Sequence, residues 1–220
     1  MKKILITGAG TGLGKELAKI YAKENNHIIL VARRSDKLDE VKKEIEKEGF
    51  SASVMTCDIS NYNEVQELRR KLIKDNSKID YLINNAGVGY FGALEDLKLE
   101  ELNTMIDVNI KGTIMLTKEL LPYIKEKIIN IISTAGLKGK PNEAVYVASK
   151  FAIRGFSESL VKELEGKELK VTAVYMGGMN TPFWDDSTHI KDKSRLKSPK
   201  EVAKIIKEQD DGRNEIIVPK

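Results

Sequence analysis

Ile4-Leu5-Ile6-Thr7-Gly8-Ala9-Gly10-Thr11-Gly12-Leu13-Gly14 sets a short apolar run, a glycine-spaced turn and the start of an amphipathic stretch one after another. A strand that passes through such a turn straight into a helix gathers unpaired backbone amides and the positive end of a helix dipole at one spot. Glycines there permit a tight turn and let the backbone come close to a diphosphate. Taken alone, the spacing is also that of any glycine-rich turn, so its reading depends on the chain around it.

Apolar runs rich in Ile and Val recur at residues 28–31, 52–55, 81–83, 128–132, 171–175 and 216–218, which with residues 4–6 makes seven expected strands. Runs of this kind are strands buried on both faces, as happens when crossover helices cover a parallel sheet. Helical periodicity fills the intervals at 14–24, 35–48, 61–76, 99–125 and 144–164, and a short helix is expected after Pro199. Ser35 and Asn61 are expected N-caps, and Asp39 stands one turn before Lys43. The alternation predicts one α/β domain over residues 1–220, a Rossmann-type, doubly wound, seven-stranded parallel sheet with helices on both faces. Ligands of such a fold bind outside the carboxyl ends of the strands.

Composition narrows the function. Of 220 residues, 37 are basic and 33 acidic, 32% are charged and 41% hydrophobic, which excludes disordered, collagen-like and low-complexity chains. The formal charge of +4 comes from lysines interspersed with acids, so no nucleic-acid surface is indicated. Cys57 is the only cysteine. An intrachain disulfide and a Cys-rich zinc site are thereby excluded, and a reducing compartment, the cytoplasm, is expected. The apolar run after Lys2 and Lys3 is too short for a secretory signal, and no run approaches the roughly 18 residues of a membrane span. His27 and His189 lack the sequence neighbours of a metal site or a Ser-His-Asp triad, so no metal is expected; Cys57 reads as a core residue.

The second strand ends in Val31-Ala32-Arg33-Arg34. A NAD-binding fold usually places an acid for the ribose hydroxyls about twenty residues after the glycine turn. Two guanidinium groups suit a ribose 2′-phosphate instead, which points to NADP(H) over NAD(H). A solvated arginine pair on a turn is the bland alternative.

The segment 7–14, Asp58, Asn84-Asn85-Ala86-Gly87, and Asn109 within Asp107-Val108-Asn109-Ile110-Lys111-Gly112 stand in this order along the chain. With Ser133, Tyr146 and Lys150, separated by twelve and three residues, the sequence resembles the classical short-chain dehydrogenase/reductase family over nearly its whole length. The resemblance implies a catalytic tetrad of Asn109, Ser133, Tyr146 and Lys150, with Asn109 holding a water that links the lysine to solvent. It implies cofactor contacts from Gly8, Thr11, Gly12, Leu13, Gly14, Asn85, Ala86, Gly87 and Tyr146, from Asp58 to the adenine, and from Lys150 to the nicotinamide ribose. Arg33 and Arg34 join this set through the phosphate argument. Thr181, closing Met176-Gly177-Gly178-Met179-Asn180-Thr181, is the implied carboxamide contact, although Met176 stands where the family usually has proline.

The chemistry also follows from the residues themselves. Tyr146 and Lys150 are four apart on a helix and share a face. A tyrosine with a pKa of about 10 holds its proton tightly, and a neighbouring ammonium, helped by an oxidised nicotinamide, favours the phenolate. Tyr146 is therefore the expected general acid and base, with Ser133 donating to the substrate oxygen as charge builds there. The function expected is NADP(H)-dependent interconversion of a ketone or aldehyde and an alcohol by hydride transfer. One rival is an NADP(H)-sensing regulator without turnover, which loss of Tyr146 or Lys150 would have favoured. Another is a sugar-nucleotide epimerase or dehydratase, which uses the same Tyr-x-x-x-Lys but a larger C-terminal substrate region.

Ala148, Ala152, Gly155 and Ser159 give the catalytic helix a small-residue face, suited either to its own sheet or to a second copy in a homodimer or homotetramer. Residues 182–197, with Phe183 and Trp184, are expected to form a short lid. Val88, Tyr90, Phe91 and Leu137 are candidates for the pocket or, equally, for loop packing, and the short chain points to an open pocket for a small or promiscuous carbonyl substrate.

Overall fold

The computed structural model describes residues 1–219 except 75, 76, 186, 188 and 191. Seven strands, β1 (Lys3–Thr7), β2 (His27–Ala32), β3 (Ser51–Thr56), β4 (Ile79–Asn84), β5 (Ile124–Ile131), β6 (Lys170–Tyr175) and β7 (Glu215–Ile217), form one sheet in the order β3-β2-β1-β4-β5-β6-β7. Every pairing is parallel, from Lys3 opposite His27 to Tyr175 opposite Ile217. The strand order reverses direction between β1 and β4, and a crevice opens there at the carboxyl ends.

Successive strand residues point to opposite faces, and each face is covered. Ile4, Ile6, Ile28 and Leu30 pack against helices α1 (Gly12–Ala22), α2 (Ser35–Lys47) and α7 (Pro199–Glu208) through Leu17, Leu38, Val41, Val202 and Ile206. On the other face Leu5, Ile29, Val31 and Leu82 meet α3 (Tyr62–Leu72), α5 (Thr113–Leu120) and α6 (Ala144–Glu163) through Val65, Leu68, Leu116 and Leu160. Burial on both sides explains why the strands read as unbroken apolar runs.

Asn61 caps α3 as expected, its Oδ1 accepting from the amides of Asn63 at 3.0 Å and Glu64 at 3.4 Å. The predicted end of that helix at Asn76 lies outside the described residues; the helix itself closes at Leu72. Ser35 is not a cap: it is the first helical residue of α2, and extended Arg34 holds the cap position without a side-chain bond. Among the described residues Asp39 and Lys43 form no ion pair, whereas Lys42 and Glu46 do, at 3.7 Å. Pro199 opens α7 behind a reciprocal Ser198 and Glu201 cap.

The helix expected over 99–125 is corrected in two ways. It is broken into α4 (Leu99–Met105), a π-helical turn over Ile106–Gly112 and α5, and after a tight turn at Leu121–Tyr123 residues 124 and 125 already belong to β5. Pro122 stops the helix, and Ile124 and Lys125 already begin β5, whose ladder with β4 shifts register before Lys127 pairs with Tyr81. Among the described residues no helix is long and apolar enough to cross a membrane.

Candidate active site

The turn after β1 places Gly8 at φ 64° and Gly12 at φ 53°, a conformation that strains any residue with a Cβ. Gly14 is needed for a different reason: a Cβ there would lie 2.2 Å from the Gly8 carbonyl oxygen. Helix α1 starts at Gly12 with no side-chain cap at Thr11 and no acidic residue in its first turn, so its leading amides and dipole are left for an anion.

Asn85 fixes the turn from the β4 side. Its Nδ2 donates to the carbonyls of Thr7 at 2.9 Å and Gly8 at 3.3 Å, while the amides of Asn85 and Ala86 both donate to Thr7 Oγ1 at 3.0 Å. The Asn-Asn-Ala-Gly segment thus joins the ends of β1 and β4 across the crevice. Thr181 closes the far side, its Cγ2 3.3 Å from where a Gly12 Cβ would stand.

One cavity of ≈ 630 Å³ runs from this turn across the carboxyl edge of the sheet. Gly8, Thr11, Gly12, Leu13, Arg33, Arg34, Asp58, Asn85, Ala86, Gly87 and Thr181 all line it. Gly14 stands behind the turn and Asn109 behind Gly87, each shaping the wall without lining it. Both guanidinium groups sit on exposed residues, and among the described residues neither is in an ion pair. Lys37 lines the same end, a cation that the sequence reading did not select although it lies one turn beyond Arg34. Asp58 Oδ1 accepts from the Ser60 amide at 2.9 Å and hydroxyl at 2.6 Å, which holds its carboxylate at the rim.

At the other end Ser133, Tyr146 and Lys150 converge. Ser133 follows β5 at its carboxyl end, and its Oγ accepts from the Ala135 amide at 3.1 Å, leaving the hydroxyl proton to be given elsewhere. Tyr146 and Lys150 occupy the buried face of α6, with Lys150 Nζ 5.5 Å from the centre of the Tyr146 ring. Burial raises the Tyr146 pKa above its ordinary value, and the adjacent Ser133 hydroxyl pulls the other way. Burial lowers Lys150 to about 8, and among the described residues no acid lies within ion-pair reach of it.

Asn109 sits in the π-helical turn, 2% exposed, with both polar atoms of its side chain hydrogen-bonded. Its Oδ1 accepts from the Val88 amide at 2.8 Å, and its Nδ2 donates to the Val88 carbonyl at 2.8 Å and to Ser149 Oγ at 3.0 Å. The side chain therefore ties the β4 loop to α6 beside Lys150.

Phe91, Phe183, Trp184 and Tyr146 form an aromatic wall on the substrate side. Phe91 stands 5.2 Å and Phe183 6.1 Å from the Tyr146 ring, and Trp184 stacks on Phe91 at 5.0 Å. Val88, Tyr90 and Phe91 line the cavity; Leu137 is not among its lining residues. The expected lid segment includes residues 186, 188 and 191, which lie outside the described residues; its base is closed by a bridge from Met179 to Lys197. Cys57 is buried, and burial pushes its thiol up to about 12, far from nucleophilic use. Among the described residues no group of three or more His, Cys, Asp or Glu is placed to hold a metal ion.

The sequence matches the short chain dehydrogenase family over residues 2–192. The chain belongs to that family. Short-chain dehydrogenases are oxidoreductases, and the relatives agree. An uncharacterized oxidoreductase of Staphylococcus saprophyticus is 34% identical over 92% of this chain and 83% of its own length. The 3-oxoacyl-(acyl-carrier-protein) reductase of Thermotoga maritima is 30% identical over 93% of this chain and 88% of its own. An alcohol dehydrogenase of Thermococcus sibiricus, solved with 5-hydroxy-NADP, superposes with a TM-score of 0.90 at 26% identity, covering 99% of this chain and 96% of that one.

Within this short-chain dehydrogenase, Glu143 and His189, like Lys37, are residues at the site that sequence reasoning missed. Glu143 lies on the cavity wall three residues before Tyr146 and meets His189, 46 positions away, at 3.0 Å. No local pattern could announce that contact, although an acid so close before the tyrosine was a signal to follow. The small-residue face of α6 points away from the sheet: Ala148, Gly155 and Ser159 are exposed, so packing on the chain's own sheet does not account for them.

Proposed function

We propose that the protein is a single-domain, NADP(H)-dependent oxidoreductase that interconverts a ketone or aldehyde with an alcohol, using Tyr146 as general acid and base. The observation that carries this reading is the convergence of the glycine turn, Arg33 and Arg34, Ser133, Tyr146 and Lys150 on one cavity. The chain's own residues fit a dinucleotide. A left-handed glycine turn and an uncapped helix start receive the diphosphate, Arg33 and Arg34 the 2′-phosphate, Asp58 the adenine, and Thr181 the carboxamide. The NADP derivative held by the Thermococcus sibiricus enzyme supports the phosphate assignment. The exposed small-residue face of α6 supports pairing of two copies.

Bound NADPH supplies the hydride. Tyr146 Oη gives its proton to the carbonyl oxygen, and the Ser133 hydroxyl donates to the same oxygen as negative charge grows on it. Burial keeps the phenol protonated until then, the form that reduction requires. Lys150, with a pKa of about 8, is mostly cationic at neutral pH, and its charge one turn away stabilises the phenolate that the transfer leaves behind. Asn109 holds Val88 and Ser149, and through them the loop and helix that frame the reaction.

Tyr146→Phe removes the proton donor while keeping the ring, so turnover should fall by at least about 10²-fold with NADPH binding nearly unchanged. Activity close to that of the parent would remove Tyr146 from its role. Arg33→Ala should weaken NADPH by roughly 10-fold or more, the worth of a charge-assisted bond, and barely affect NADH. A titration showing equal losses for the two cofactors would reject the phosphate assignment.

A further inference from the structure

The loop before α6 and the segment after β6 are far apart in sequence, yet one contact joins them over the substrate side of the cavity. Glu143 Oε1 lies 3.0 Å from His189 Nε2, and Glu143 Oε2 lies 3.7 Å from Lys140 Nζ. The Glu143 side chain is 8% exposed while that of Lys140 is 42% exposed, so His189 is the partner that satisfies a buried carboxylate. From His189 the contact continues through rings. His189 stacks on Phe91 at 4.8 Å and 15°, and on Trp184 at 6.2 Å and 18°. Phe183 meets Trp184 edge-on at 5.0 Å. Phe91 and Phe183 press on Gly89 closely enough that a Cβ there would lie 2.6 Å from each ring, and both rings flank Tyr146.

We propose that Glu143 and His189 are positioning residues that latch Phe183 and Trp184 against Phe91 over Tyr146, and thereby make the site selective for small carbonyl compounds. The reading rests on the oxidoreductase assignment above and extends it to substrate size. A small aldehyde or ketone reaches Tyr146 and Ser133 with the latch made. A bulky one has to part the rings, which pulls His189 away and strands the Glu143 carboxylate without its close partner.

Trp184 is the only tryptophan of the chain, so its emission reports the latch without any need for turnover. The test compares the parent with His189→Leu, which cannot pair with Glu143, and His189→Gln, whose amide can still donate to it. Each is examined for Trp184 emission and acrylamide quenching, and for kcat and KM with NADPH and a series of aliphatic and aryl aldehydes of increasing bulk. His189→Leu should shift the emission to the red, raise quenching, and lift the bulky-to-small ratio of kcat/KM by about tenfold, mainly by lowering KM for the bulky members. His189→Gln should restore most of both. Glu143→Gln keeps an acceptor for His189 without the charge and should fall between them, which keeps the test open if the leucine variant folds poorly. Parent-like emission and quenching in both His189→Leu and Glu143→Gln would overturn the latch, as would altered emission with an unchanged size ratio. If the parent reduces none of the aldehydes, that result counts against the oxidoreductase reading, and the emission and quenching of the variants alone decide the latch.

Discussion

Lys127 and Lys150 are buried to nearly the same degree, 8% and 7% exposed, toward opposite ends of one sheet, and their surroundings differ in kind. Lys127 enters β5 opposite Lys170, the first residue of β6, and forms an ion pair with Asp210, whose side chain is 2% exposed. The Tyr21 hydroxyl donates to the second oxygen of Asp210 at 2.7 Å, and the Tyr81 ring lies 4.9 Å from Lys127 Nζ. Every charge there has an answering group. Lys150 has Tyr146 beside it and, among the described residues, no acid, and its amine faces the cavity near Gly87. A buried charge is satisfied internally where it fastens α7 to the sheet. It is left unsatisfied where a ligand is to complete the site.

The two lysines should therefore answer the same substitution in opposite ways. Lys150→Met should lower turnover by at least about 10²-fold and raise thermal stability, because an unpaired buried cation is replaced by an apolar chain of similar length. Lys127→Met should leave turnover near that of the parent and destabilise by about 3–5 kcal/mol, because Asp210 is then buried without its cation. Steady-state kinetics and thermal melting on the two variants settle the matter. A Lys150→Met protein that melts below the parent would break the comparison, and so would a Lys127→Met protein that melts with it.

The same division explains what could be read in the sequence. The sheet, its parallel order and the cofactor end were legible because they depend on local patterns: apolar runs buried on both faces, glycines where backbone geometry demands them, and residues at strand ends. Tyr146 and Lys150 were legible for the same reason, since one helical turn separates them. Glu143 with His189 was not, because nothing local pairs an acid before α6 with a histidine 46 residues on. The tie of Asn109 to Val88 and Ser149 was equally hidden, since a π-helical turn leaves no distinct apolar period and residues 99–125 read as continuous helix. Ile124 and Lys125 were misassigned because a charged residue near a strand's entry looks like a helix surface.

The smallest effect is a pH dependence, and it isolates the burial of Lys150 from all else that the substitution changes. In the unfolded chain its amine titrates near 10.5, and in the fold near 8. Below about 8 both states carry the proton and the fold bears the whole cost of the buried cation. Between 8 and 10.5 the unfolded chain binds more protons than the folded one, so the contribution of Lys150 to stability rises with pH across that window. The shift corresponds to roughly 3 kcal/mol as an upper bound. Other groups titrate in this range too; Cys57, for one, has its thiol pushed up to about 12 by burial, so its contribution runs in the opposite direction. Comparing the parent with Lys150→Met removes these common contributions. The stability advantage of Lys150→Met in urea unfolding should be greatest below about pH 8 and shrink as the pH approaches 10.5. An advantage that stayed constant with pH would mean that repacking produces it, and that Lys150 bears no penalty for its burial.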